Sequence, residues 1–297
     1  MSSREAIEHS LHKAALEQTI ISVRDLSGGC IHRVQEVCLR DGATVIAKTN
    51  SAEHLHMFQE EADGLRALAQ TNTVLVPRPL AVIESVGVAV LLMTAIKHAA
   101  VSPRAWTRFG EELARLHQTD AGHRYGFQTD NHLGVTPQPN EWCDDWVRFN
   151  AEHRLGHQLD LAAKRERLDT SEAARILAVI DALEDHIPRQ PKPALLHGDL
   201  WSGNALPACD GDDATDRIGV IDPACSIGDG WADIAMMKLF GGFPDICIEA
   251  YAANIPDRAQ LDSRIAVYQL YHVLNHVNLF GRSYAGQAMA IVAKLGA

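Results

Sequence analysis

The hydrophobic pattern of the chain changes character near residue 97. Before that point apolar residues come in short β-branched blocks separated by turn residues; beyond it they recur every three or four positions. An opening helical stretch at 5–18 leads into "IISVRDLSGG", a short apolar run ended by two glycines. "VQEVCLRDGATVIAKTN" reads as a hairpin, because "RDGA" supplies an Asp-Gly turn between two β-branched stretches. "SAEHLHMFQEEADGLRALAQT" places apolar residues at 55, 58, 62, 65 and 68, the spacing of an amphipathic helix. "VPRPLAVIES" and "VGVAVLLMTAI" give two more strands around a turn at Ser85–Gly87. Over 1–97 the pattern therefore predicts a small antiparallel sheet with one helix inserted after its third strand. Over 98–297 it predicts helices at 103–118, 141–162, 170–186, 230–240, 245–253 and 258–280 around short strands in "ALLHGD", "NALPAC" and "RIGVIDP". The class implied is α+β and bilobal: an N-terminal lobe over 1–97 and a larger, mainly helical C-terminal lobe over 98–297.

Chemistry-bearing residues concentrate at the short strands of the second lobe. "HGDLWSGN" spaces His197, Asp199 and Asn204 as H-x-D-x-x-x-x-N, and "VIDPA" places Asp222 directly after an apolar strand. That order is the one found in the catalytic loop and metal-holding Asp of protein-kinase-like phosphotransferases. An Asp is needed to accept the proton of an attacking hydroxyl, and a nearby Asn brings an uncharged oxygen to a metal already shared with phosphate. Singly, each residue reads as a capping Asp or a turn Asn. In this order they argue for phosphoryl transfer from ATP with Mg²⁺, Asp199 being the catalytic base and Asn204 and Asp222 the metal ligands.

The first lobe supplies matching candidates for ATP. Lys48 ends the third strand, the place from which a lysine reaches the α- and β-phosphates. Glu61 is its expected ion-pair partner: it shares the inward face of its helix with Phe58, Leu65 and Leu68, whereas Glu60 points away. Gly28 and Gly29, in "LSGGCI", could lay backbone N–H groups over the phosphates, although the stretch matches neither G-x-G-x-x-G nor a Walker A sequence. Met93, Thr94, Ala95 and Ile96 are placed to form a hinge that binds adenine through backbone groups.

Composition narrows the partners. With 38 acidic against 27 basic residues and a formal charge of −11, the chain is a poor match for a phosphate-backbone binder, so no nucleic-acid partner is expected. The charged start "MSSREAIEHSLHK" does not resemble a secretion signal, no apolar run reaches the length of a membrane helix, and the six cysteines are scattered. A cytoplasmic protein with reduced thiols and no membrane partner is the expectation. The His153/His157 and His272/His276 pairs lack the acid of an H-E-x-x-H pattern and read as structural.

With these residues in place, the chain resembles the fructosamine kinase family, the ketosamine 3-kinases, within the aminoglycoside phosphotransferase and choline kinase-like superfamily. The likeness is carried by "MFQEEADGLRAL", "LARLHQ", "YGFQTDNHLGVTPQPNEWCDDWVRF", "HGDLWSGN", "LFGGFP" and "YQLYHVLNHVNLFGRSY". The resemblance implies an ATP- and Mg²⁺-dependent kinase that phosphorylates a sugar hydroxyl of a ketosamine, free or protein-bound, whose unstable product releases the amine. It implies that His197 orients the catalytic loop and that Trp201 walls the sugar. One departure stands out: after "IDPA" this chain has "CSIGDGWADIAMM", keeping Asp233 but placing Gly230 and Trp231 where the family has Arg and Glu. Trp231 and Asp233 are accordingly expected near the substrate. The change leaves open a kinase of the same fold for another hydroxylated amine or sugar; a nucleotide-binding pseudokinase is the reading of a different class. The chain is expected as a monomer or a homodimer, and Cys30, in the glycine loop, suggests a thiol that could link two chains.

Overall fold

The computed structural model describes residues 3–16, 19–26, 31–210 and 215–297; Gly28, Gly29 and Cys30 lie outside the described residues. The chain divides into two compact units, Met1–Ala105 with Leu206–Pro223 and Trp106–Ala205 with Ala224–Ala297.

The first unit opens with α1 (Ser3–Lys13), β1 (Ile20–Asp25), β2 (Arg33–Leu39), β3 (Thr44–Ser51), α2 (Leu55–Gln70), β4 (Pro79–Ser85) and β5 (Val88–Thr94). Its antiparallel sheet has the order β1-β2-β3-β5-β4. The period-two alternation of strands splits β5 between two cores. Val90 and Leu92 pack with Val37, Val45, Ala47 and the α1 residues Ala6, Ile7 and Leu11. Ala89, Leu91 and Met93 pack with Phe58, Ala62 and Leu65 of α2. A strand covered on both faces has to be apolar throughout, which is why "VAVLLM" shows no alternation.

The second unit begins its elements with α3 (Pro103–Gln118), the short pair β6 (Asn131–Leu133) and β7 (Thr136–Gln138), and α4 (Trp146–Phe149). A π-helical turn at Asn150–Leu155 leads into α5 (Gly156–Lys164), followed by α6 (Thr170–Asp181) and β8 (Pro193–Leu196). The chain then makes β9 (Ala205–Asp210) and β10 (Thr215–Val220), whose hairpin belongs mainly to the first unit: Gly219 bridges Leu75 and Ala208 bridges His98. It returns as β11 (Ser226–Asp229), antiparallel to β8, and ends with α7 (Trp231–Leu239), α8 (Asp245–Asn254), α9 (Leu261–Phe280) and α10 (Ala285–Lys294).

Where the elements differ from the sequence reading, the causes are local. The helix expected at 141–162 starts at Trp146, because the Asp145 carboxylate caps it by accepting from Arg148 N at 2.9 Å. Cys143, just before the cap, instead forms a bridge with Tyr125. The helix α10 lies beyond the helices expected from the sequence.

Candidate active site

Lys48 and Leu91 are cross-strand partners on β3 and β5, and Leu91 packs against α2. Residues paired across a sheet share a face, so Lys48 is aimed at α2. There its Nζ meets Glu61 Oε1 at 2.7 Å. The same Nζ reaches Asp222 Oδ1 at 2.5 Å. Lys48 is buried, and burial works against its ammonium, but the two carboxylates outweigh that cost and hold its pKa above the usual lysine range. Burial raises the Glu61 pKa, with Lys48 opposing the shift and Asp222 adding to it.

Asp222 follows β10 with φ +56°, a left-handed conformation that Asp tolerates better than most residues. Its side chain is 43% exposed, so one carboxylate in this cluster remains open to a ligand. The candidate hinge adjoins the same hairpin. Thr94 N donates to Arg78 O at 3.0 Å, Ile96 abuts Gly219, and Cys209 N donates to Lys97 O at 3.1 Å. His32, which the motifs do not pick out, sits over Phe58 with ring centroids 4.7 Å apart. Burial, helped by the charge on Lys48, lowers its pKa to about 4.

In the second unit, β8 delivers the loop that begins at His197. The buried Asp233, in the first turn of α7, accepts from His197 N (2.8 Å, Oδ2) and Gly198 N (2.9 Å, Oδ1). Its Oδ2 also meets His117 Nε2 at 3.1 Å, and His117 Nδ1 meets the Tyr251 hydroxyl at 2.9 Å. Burial alone would raise the Asp233 pKa; His117, His197 and the loop amides reverse that and hold it low. Gly198 has φ +82°, and a Cβ there would lie 2.0 Å from Ala224 O, so only glycine lets the loop pass.

The loop then presents Asp199, half-buried, and closes on Asn204, whose Nδ2 donates to Asp199 O (2.8 Å) and Asp199 Oδ2 (3.2 Å). The donor end of the amide is thereby committed, and its oxygen is the end left for a cation. Trp201 is 41% exposed, its ring lying against Gly203.

Of the residues expected near the substrate, two are buried. Asp233 and Trp231 are 1% and 3% exposed. Trp231 Nε1 donates to Asp257 O at 2.8 Å, and a Cβ at Gly230 would stand 2.7 Å from His117 Nδ1 and 2.8 Å from the Tyr251 hydroxyl. Within the "GDGWAD" departure Gly230 and Trp231 are thus packed inside the unit behind the loop, and of Trp201, Trp231 and Asp233 it is Trp201 that is exposed. The bracing by Asp233 and His117 went unread because it depends on contacts 36 and 116 residues apart; the lone His117 in "LARLHQ" was the available signal.

The model of the family "Fructosamine kinase" matches residues 3–297. A probable ketoamine kinase of Synechocystis sp. is 43% identical over 270 residues, covering 91% of this chain and 88% of its own. The chloroplastic protein-ribulosamine 3-kinase of Oryza sativa subsp. indica is 35% identical over 278 residues, covering 92% and 78%. Among solved structures, a Haemophilus somnus 129PT protein provisionally described as a fructosamine-3-kinase is similar with a TM-score of 0.86 at 30% identity, over 98% of this chain and 97% of that one. An aminoglycoside phosphotransferase in ternary complex with ADP and hygromycin B is similar with a TM-score of 0.64 at 18% identity, over 100% and 99%. The fold is the α+β fold of protein-kinase-like phosphotransferases.

Proposed function

The chain belongs to the fructosamine kinase family, and on that premise we propose that it transfers the γ-phosphoryl group of ATP to a sugar hydroxyl of a ketosamine, as a step in deglycation. The observation that carries this reading is the buried Lys48 ammonium, held by Glu61 from α2 and by Asp222 from the end of β10. A lysine fixed in this way presents a positive charge to phosphate oxygens without the entropy cost of ordering a free side chain.

Taken singly, each of the two donor groups suits a hard divalent cation such as Mg²⁺. Asp222 offers a half-exposed carboxylate, and Asn204 offers an amide oxygen whose nitrogen is engaged by Asp199. When bound, the ion supplies charge neutralisation on the phosphates. The chain's own residues do the rest. Asp199 accepts the proton of the attacking hydroxyl, and Asn204 and the Asp233-braced backbone fix where that carboxylate stands. Lys48 stabilises negative charge on the phosphates, the segment Met93–Ile96 receives adenine, and Trp201 forms one wall for the sugar.

ADP release measured against ribulosamines, fructosamines, an aminoglycoside and choline tests the reading. Turnover confined to the ketosamines is expected. Turnover confined to the other acceptors would overturn the substrate assignment, and nucleotide binding with no turnover on any acceptor would make the chain a binding module. Among the described residues no helix is long and apolar enough to cross a membrane.

A further inference from the structure

The second unit holds a cavity walled by residues of β7, the π-helical turn, β8 and α9. It is open on one side, so its wall groups can be reached from outside. Gly198 of the catalytic loop forms part of the wall. Another wall residue, Tyr271, is near enough to Asp199 to feel its charge.

Two polar groups in this wall keep hydrogen-bonding capacity that the described residues do not use. Arg154 is 5% exposed, and among the described residues its side-chain hydrogen bonds go only to neutral oxygens. Nη1 donates to Pro139 O (2.6 Å) and His153 O (3.0 Å), and Nη2 donates to Asn140 Oδ1 (2.8 Å). A guanidinium has five N–H donors. Nε–H and one N–H of Nη2 therefore remain, on the two nitrogens that form one edge of the fork. The face of the group is covered by the Phe149 ring at 4.4 Å, so ligand access is edge-on. Asp130 acts on Arg154 only at longer range, and burial lowers the Arg154 pKa, as expected for a charge with no close counterion.

The second group is His272, 4% exposed, whose Nδ1 has no hydrogen-bond partner. Burial lowers its pKa to about 3, so the ring is neutral and can donate from Nδ1. The one carboxylate in the wall, Asp233, has both oxygens engaged by the loop amides and His117.

We propose that this cavity is an anion subsite of the acceptor site, in which the Nε/Nη2 edge of Arg154 and Nδ1 of His272 take the carboxylate of a ketosamine built on a free amino acid. A planar carboxylate matches the guanidinium edge with two parallel hydrogen bonds, and it supplies the counter-charge that the fold leaves out. The proposal rests on the kinase reading above and narrows it to acceptors that carry an anionic end.

The test compares two acceptors, the ketosamine of glycine and that of glycinamide, which differ in the carboxylate. The wild type is expected to show a kcat/KM about tenfold or more higher for the glycine adduct, carried by KM. In Arg154→Gln that ratio is expected to fall to about one, with partial recovery in Arg154→Lys, which keeps the charge without the fork. Equal kcat/KM for the two adducts in the wild type overturns the proposal and requires no variant to fold; an unchanged ratio in Arg154→Gln also overturns it. Acetate is expected to compete with the glycine adduct and not with ATP. Acetate that binds without competing overturns the acceptor assignment in favour of a free carboxylate. If neither adduct is phosphorylated, the kinase reading is what fails. Calorimetric titration of acetate then decides the subsite by itself: binding to the wild type but not to Arg154→Gln supports it, and no binding to the wild type overturns it.

Discussion

Asp199 and Asp222 carry the same functional group into different surroundings, and the surroundings divide their work. Asp199 is held by the Asn204 amide on a loop whose backbone is pinned to Asp233, whereas Asp222 is tied to the Lys48 ammonium. Asp199→Ala is therefore expected to lower kcat by about 10²–10⁴ while leaving the ATP dissociation constant nearly unchanged. Asp222→Ala is expected to weaken Mg²⁺-ATP binding first, and identical behaviour of the two variants would refute this division. His272 makes a prediction in pH. A histidine kept neutral by burial contributes stability that is complete above its unfolded pKa of about 6.5 and is lost as pH falls toward its folded value of about 3. Between pH 7 and pH 5 this group should remove about 2 kcal/mol from the unfolding free energy. Urea unfolding at the two pH values checks this, and His272→Gln should flatten the slope by that amount.

At the scale of elements, the loop that carries Asp199 is clamped by α7. Asp233→Ala would strand the buried His197 amide and the part-buried Gly198 amide and leave His117 facing a void, at a cost of about 2–5 kcal/mol. Thermal unfolding and kinetics together should show a lowered Tm and a lowered kcat with little change in the KM for ATP; a Tm change with normal kcat would mean that the clamp does not position the loop. The start of α6 gives a contrasting case. Asp169 and Glu172 form a capping box there, far in role from the chemistry. Asp169→Ala is expected to cost about 1 kcal/mol of stability without altering kcat.

The elements also show which features are written locally. The Asp-Gly turn fixed the β2–β3 hairpin, and the apolar spacing fixed α2 and α3, because each signal lies within a few residues of its effect. The four-residue β11 is too short to leave a comparable signal. The spacing that singles out Asp199 and Asn204 is local to one loop, and Lys48 stands out as a lysine inside an apolar strand. Asp233, His117, Arg154 and His272 acquire their surroundings from distant segments, and no spacing rule reports that.

At the scale of the whole molecule, the chain is read in two units, and the first is discontinuous. Residues 206–223 join it because the β9–β10 hairpin bridges to Leu75 and His98, and in doing so the hairpin carries Asp222 to Lys48. A boundary near residue 97 follows from the change in hydrophobic period but misses this return, since the pairing partners are more than a hundred residues apart. The full-length family match agrees with a phosphotransferase built from both units. The most direct measurement of the central claim is ³¹P NMR, with mass spectrometry, on a ketosamine incubated with the protein, ATP and Mg²⁺. The account predicts a new phosphomonoester resonance and the mass of one added phosphoryl group on the sugar portion of the acceptor, both absent with Asp199→Ala. ADP appearing with inorganic phosphate and an unmodified ketosamine would contradict it.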